Sequence, residues 1–138
     1  MTLLWITVAI VIFALLLDRG IDKMYAYKVR VHRDTPAKYE IDFEEIQIPT
    51  TDGGSLYGWW IPTKASAPTL ILTHGWSRNV QRMMPYIRKL HPQGYNLLVF
   101  DARNHGSSTL MRHPATVGTF TDDILSAVNY LRASEDNS

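Results

Sequence analysis

Two short stretches hold the residues whose types could do chemistry. Thr73-His74-Gly75-Trp76-Ser77-Arg78-Asn79 closes one apolar run, and Asp101-Ala102-Arg103-Asn104-His105-Gly106-Ser107-Ser108 closes another. A serine, a histidine and an aspartate are the parts of a nucleophilic triad, which is defined by geometry and not by chain order, so Ser77, His105 and Asp101 are one conceivable set. Gly75 to Asn79 comes within one residue of G-x-S-x-G, the turn that exposes a nucleophilic serine. It fails at its last position, because that strained, packed turn needs a small residue where Asn79 stands. Gly53-Gly54-Ser55-Leu56-Tyr57 and Gly106-Ser107-Ser108-Thr109-Leu110 fail in the same way. Ser77 is therefore read as a non-catalytic residue. Asp101, His105 and His113 offer metal-ligand atoms, but their spacing fits no common ligand pattern. His32 and His91 have no evident partner and read as solvated.

The elements that must position these loops can be read from periodicity. Tyr39, Ile41 and Phe43 alternate with polar residues, as do Ile46 and Ile48 one position out of phase, which predicts a strand with a β-bulge. Thr51-Asp52-Gly53-Gly54 is a turn, and Leu56 to Ile61 reads as the returning strand, with Trp59 and Trp60 on opposite faces. Residues 69–73 and 95–100 contain unbroken apolar stretches, the pattern of strands covered on both faces. Between them Val80, Met83, Met84, Ile87 and Leu90 recur at helical spacing, Pro85 restricts the helix start, and Gly94 suits its exit. Thr121-Asp122-Asp123 reads as the capped start of a second helix with a buried stripe of Ile124, Leu125, Val128 and Leu131. The expected fold class is α/β: a β-hairpin followed by β-α-β-α, an incomplete sheet whose loops at the C-terminal strand ends form the binding face.

The chain ahead of this domain is different in kind. Leu3 to Leu17 is fifteen residues without a charge. As a helix it spans roughly 22 Å against a hydrocarbon core of roughly 30 Å, and the flanking residues extend it. No basic residue precedes the run and no small-x-small exit follows it, which argues against a cleaved signal peptide. Arg19, Lys23, Lys28, Arg30 and Arg33 follow it, so the positive-inside rule places the C-terminal domain in the cytoplasm. The expected organisation is a transmembrane anchor over 1–18, a solvated juxtamembrane linker over 19–38 and a domain over 39–138.

Composition bounds the function classes. The chain has 138 residues, about one domain, with 46% apolar and 20% charged residues, which is a globular composition. A net charge of +1 gives no basic field for nucleic acid. With no cysteine there is no disulfide, thiolate metal site or cysteine nucleophile.

The order of elements resembles the first half of an α/β-hydrolase. The resemblance rests on Asp52-Gly53 with Leu56-Tyr57-Gly58-Trp59 in the hairpin, Thr73-His74-Gly75-Trp76, and Phe100-Asp101-Ala102-Arg103-Asn104-His105-Gly106-Ser107-Ser108. It is nearest the serine-hydrolase branch with esterase, lysophospholipase-like and S33-type peptidase members, and covers roughly residues 40 to 134. It implies that the backbone N–H of Trp76 donates to an oxyanion hole, that Gly75 lets the backbone approach closely and that His74 supports the loop. From the residues alone, His74-Gly75 also reads as a tight strand-to-loop turn. For the second loop the resemblance implies a structural role, with Asp101 and Arg103 in local ion pairs and backbone bonds, Gly106 turning the chain and His105 beside them. The nucleophile, acid and base would then all lie beyond Ser138. The expected function is that of an inactive N-terminal fragment of a membrane-anchored serine hydrolase. The intact enzyme would act without a cofactor on a small-molecule or lipid-like acyl substrate. The alternative is a complete, non-catalytic, membrane-tethered binding module.

Overall fold

The computed structural model describes residues 1–25, 29–112 and 114–135. A first helix, α1 (Thr2–Tyr25), precedes a domain of strands β1 (Glu44–Pro49), β2 (Ser55–Ile61), β3 (Thr69–Thr73) and β4 (Asn96–Phe100) with helices α2 (Met84–Leu90) and α3 (Val117–Glu135). The strands form one sheet in the order β1-β2-β4-β3. β1 and β2 are antiparallel, β2 and β4 are antiparallel, and β3 runs parallel to β4 with Thr73 opposite Phe100. This register brings the ends of β3 and β4, and hence both chemistry-bearing loops, to one edge of the sheet.

The sheet is covered on both faces. On one, Tyr57, Trp59, Ile61, Leu97 and Val99 pack with Val80, Met84 and Ile87 of the α2 region. On the other, Ile48, Leu56, Leu98 and Phe100 pack with Ala127 of α3, and Trp60 leans on this cluster. Trp59 and Trp60 thus fall on opposite faces, as the strand period requires. The helical spacing between β3 and β4 resolves into a 3₁₀ turn (Val80–Met83) leading into α2, with Pro85 in its first turn. Gly94 ends the following 3₁₀ turn at φ 88°, a left-handed geometry that glycine adopts without cost from a Cβ.

Three expectations are corrected. The alternation of Tyr39, Ile41 and Phe43 is not a strand, and there is no bulge: Pro36–Tyr39 is a 3₁₀ turn, Glu40 has φ 57°, and β1 starts at Glu44. Ile41 and Phe43 still pack on the core from irregular chain, which is why their spacing imitated a strand. The helix α3 starts at Val117, not at Thr121-Asp122-Asp123. Its cap is a reciprocal pair, with Thr119 N–H on Thr116 Oγ1 (3.2 Å) and Thr116 N–H on Thr119 Oγ1 (2.8 Å). The buried face of α3 carries Asp123, Ser126 and Ala127, whereas Ile124 and Leu125 are 39% and 54% exposed. Of the expected stripe, Leu131 packs against the sheet and Val128 is half-buried, while Ile124 and Leu125 fall outside the face that Asp123 occupies.

Residues 29–38 of the juxtamembrane segment are mostly exposed but dock on the domain at His32 and Pro36. His32 stacks on Tyr57 with ring centroids 5.1 Å apart and meets Trp59 edge-on at 5.3 Å, correcting its reading as a solvated side chain. The α1 helix passes Leu17 by two turns, and Thr2–Met24 is long and apolar enough to cross a membrane, with none of its span buried against the rest of the chain.

Candidate active site

The loop after β3 is built around His74. The Ala102 N–H donates to Nε2 at 3.1 Å, so Nε2 carries no proton, and Nδ1–H donates to the Gly75 carbonyl at 2.8 Å. Nε2 also lies 3.7 Å from Asp101 Oδ1, but an unprotonated nitrogen facing a carboxylate is not an ion pair. Burial pushes the His74 pKa down to about 4 from 6.5, which fits the neutral ring. A neutral ring is stable above the unfolded value of about 6.5; as pH falls from there through 4, the unfolded chain binds a proton that the fold refuses. Between pH 7.5 and 4.5 this costs about 2.5 kcal/mol. Denaturant melts in mild detergent at the two pH values should show that loss relaxed in His74→Gln, whose amide cannot titrate. An unchanged pH slope in the variant would mean that His74 is not the group responsible.

The loop after β4 is the brace. His105 is buried, its Nδ1 is 2.8 Å from the Arg103 carbonyl, and its Nε2 accepts the Ser77 N–H at 3.2 Å. Burial lowers the His105 pKa as well. Both Asp101 oxygens accept backbone donors: Oδ1 from Val80 N–H and Oδ2 from Ser107 N–H at 2.8 Å. Burial pushes the Asp101 carboxyl up, against the pull of these donors. Gly106, at φ 50°, passes so close that a Cβ there would fall on the Asp101 carboxylate. Ser108 Oγ takes the Tyr57 N–H at 2.9 Å and donates to the Asp101 carbonyl, tying the loop to β2.

Ser77, His105 and Asp101 are neighbours but are not aligned as a proton relay. The His105 lone pair faces the Ser77 backbone rather than its hydroxyl, and Nδ1 faces a carbonyl rather than Asp101. Ser77 itself sits at φ 56°. His113 lies outside the described residues, and among the described residues no group of three His, Asp or Glu side chains converges as a metal site.

Trp76 stands at the rim, 39% exposed, stacked on Phe120 at 6.1 Å and edge-on to His105 at 5.6 Å. A Cβ at Gly75 would meet nothing within 4 Å, so its backbone faces open space. A cavity of about 530 Å³ opens beside Trp76, lined by Ile21, Asp22, Pro114, Ala115 and Val117 among others. Its size is that of a small-ligand pocket. Phe120 and Asp123 were missed by sequence reasoning. Phe120 carries no pattern signal, and Asp123 was taken for a capping acid.

The fold matches solved structures. The chain superimposes on the Pyrococcus furiosus esterase Pf2001 with a TM-score of 0.70 and 32% identity, over 78% of this chain and 43% of that one. It also superimposes on the α/β-hydrolase GrgF from Penicillium with a TM-score of 0.61 over 67% of this chain, at 22% identity. This chain has the α/β-hydrolase fold. By sequence, it is 30% identical over 95 residues to the thiohydrolase aneE of Aspergillus aculeatus, covering 67% of this chain and 30% of that protein. It is 34% identical over 139 residues to the uncharacterized protein YfhR of Salmonella typhimurium. No family model matches it. The chain spans 45% of the YfhR protein's length, while 96% of its own is matched.

Proposed function

We propose that this chain is the N-terminal part of a membrane-anchored serine hydrolase that cleaves an ester, thioester or amide through an acyl-serine intermediate, without a cofactor. The observation that carries the reading is the loop 74–79. It is locked from beneath by His74, His105 and Asp101, and it leaves Trp76 at a rim beside an apolar cavity. Acyl transfer builds negative charge on the carbonyl oxygen, and a fixed N–H aimed there contributes a few kcal/mol to the transition state. Trp76 N–H is assigned that role, with Gly75 leaving the approach open and His74, Asp101, Arg103, His105 and Gly106 holding the frame. The cavity is assigned to the acyl portion of a small-molecule or lipid-like substrate. α1 is assigned as a single-pass anchor, with the catalytic domain on the cytoplasmic side by its flanking charges. The nucleophile, acid and base are assigned to sequence beyond Ser138, so the 138 residues alone are inactive.

The test joins sequence and labelling. Coding DNA read past codon 138 is expected to continue in frame through an apolar strand into G-x-S-x-G. The longer product should stay in the membrane fraction after a carbonate wash and react with a fluorophosphonate at that serine, while the 138-residue chain should not react. Labelling of Ser77 in the short chain, or an in-frame stop at that point in intact flanking sequence, would overturn the proposal.

A further inference from the structure

We infer that the cleft between the juxtamembrane segment and the loop 77–82 binds the phosphate of an anionic phospholipid headgroup. Two adjoining hollows of about 340 and 620 Å³ share Arg30, Asn79 and Gln81 as lining. Arg78, Arg82 and Ser77 line the first and Arg33 the second. Four arginines therefore line the two hollows. Among the described residues none of them has a carboxylate within 4.0 Å, whereas Arg103 has two aspartates and Arg88 lies over the Tyr39 ring. The nearby acid, Asp34, is already taken by Lys38 (2.8 Å) and by the Gln81 amide (3.1 Å).

The cleft is held together by specific bonds. Asn79 Nδ2 donates to the Arg30 carbonyl at 2.8 Å, and Gln81 Oε1 accepts the backbone N–H groups of Arg33 (2.8 Å) and Asp34 (3.3 Å). The side chains of one loop thus fix the path of the arginine-bearing segment against it. Clustered like charges repel, and an anion between them reverses the sign of that interaction. Planar guanidinium forks match phosphate oxygens in pairs, which selects phosphate over a diffuse negative surface.

Position selects a lipid as the source. Trp76, next to Ser77 in the chain, shares its cavity with Ile21 and Asp22 near the end of α1. Arg30 follows Tyr25 by five positions, a reach of at most about 18 Å. With α1 across a bilayer, the cleft opens at headgroup level. This source rests on the anchor proposed above; the phosphate chemistry does not.

The full chain is reconstituted into nanodiscs of mixed phosphatidylcholine and phosphatidylglycerol, and the lipids it retains on release are read by native mass spectrometry. Retention of phosphatidylglycerol is expected at about 25-fold over phosphatidylcholine. Arg78→Ala/Arg82→Ala should cut that preference by about 25-fold, to parity, since each cation near an anionic surface is worth about fivefold. Lys89→Ala/Arg132→Ala removes the same charge elsewhere and should retain it. No preference in the parent chain, an equal fall in both double variants, or saturable sub-millimolar binding of inorganic phosphate without lipid preference would each overturn the assignment. A chain that fails to enter the discs at all overturns the anchor and, with it, the lipid source. A chain that enters without selectivity overturns the cleft alone.

Discussion

Asp123→Ala is expected to destabilise the domain by about 3–5 kcal/mol, a third or more of the stability of an ordinary domain. Asp123 is fully buried, and Arg103 is 7% exposed. One carboxylate serves three donors of the same residue: Arg103 N–H to Oδ2 (2.8 Å), Nε to Oδ1 (2.7 Å) and a terminal nitrogen to Oδ1 (2.7 Å). The other terminal nitrogen reaches Asp52 Oδ2 at 2.6 Å. Burial works against the Arg103 charge, but Asp123 first and then Asp52 outweigh it and hold its pKa above the ordinary value. Removing Asp123 leaves a buried guanidinium with only a peripheral partner, and desolvation is then uncompensated. Asp52 makes a useful contrast, because its side chain is 33% exposed and water replaces it readily. Asp52→Ala should cost about 1 kcal/mol or less. Exchanging both partners for apolar residues of similar shape, as in Arg103→Met/Asp123→Leu, should recover most of the loss. Chemical denaturation in mild detergent measures all three variants. If Asp123→Ala cost no more than Asp52→Ala, the claim that this buried pair locks α3 to the loop after β4 would be wrong.

This pair also shows what the sequence could and could not reveal. Apolar runs at 69–73 and 95–100 located the parallel strands, because strands covered on both faces must be apolar throughout. The hairpin came from its turn residues, and the two loops from their place after those strands. A pattern of apolar residues cannot find a polar residue in the core. Asp123 is buried because Arg103, twenty positions earlier, requires it, and no local rule links the two. Reading Asp123 as a helix-capping acid moved the start of α3 and put Ile124 and Leu125 on the wrong face. His32 was lost for the same reason: its partners, Tyr57 and Trp59, are more than twenty residues away. The site followed the same division. Its loop was legible from His74-Gly75-Trp76, while Phe120, which stacks on Trp76, came only from the packing of α3.

Gly106→Ala should be as damaging as any single methyl group added to this chain, at about 3–6 kcal/mol. Part of the cost is conformational: Gly106 sits at φ 50°, where a Cβ adds about 1–2 kcal/mol. The rest is steric and electrostatic. The new methyl would occupy the space of the Asp101 carboxylate. That carboxylate cannot step aside freely, because it holds the Val80 N–H at the start of the α2 region and the Ser107 N–H in its own loop. Each bond to a charged acceptor is worth about 1.5–3 kcal/mol, and displacement breaks one or both. Gly75→Ala supplies the matched control, since its Cβ would enter open space and its effect should stay within about 0.5 kcal/mol. The two sites also separate stability from function. Losing the Asp101–Val80 bond should loosen the loop 74–79, raising amide exchange there more than in β2. The damage should be coupled to Asp101: the double variant Gly106→Ala/Asp101→Ala should cost clearly less than the sum of the two single changes, because the clash has no second partner left. Strict additivity would show that Gly106 is required for its backbone angle alone, and that Asp101 does not hold the loop 74–79 through this contact.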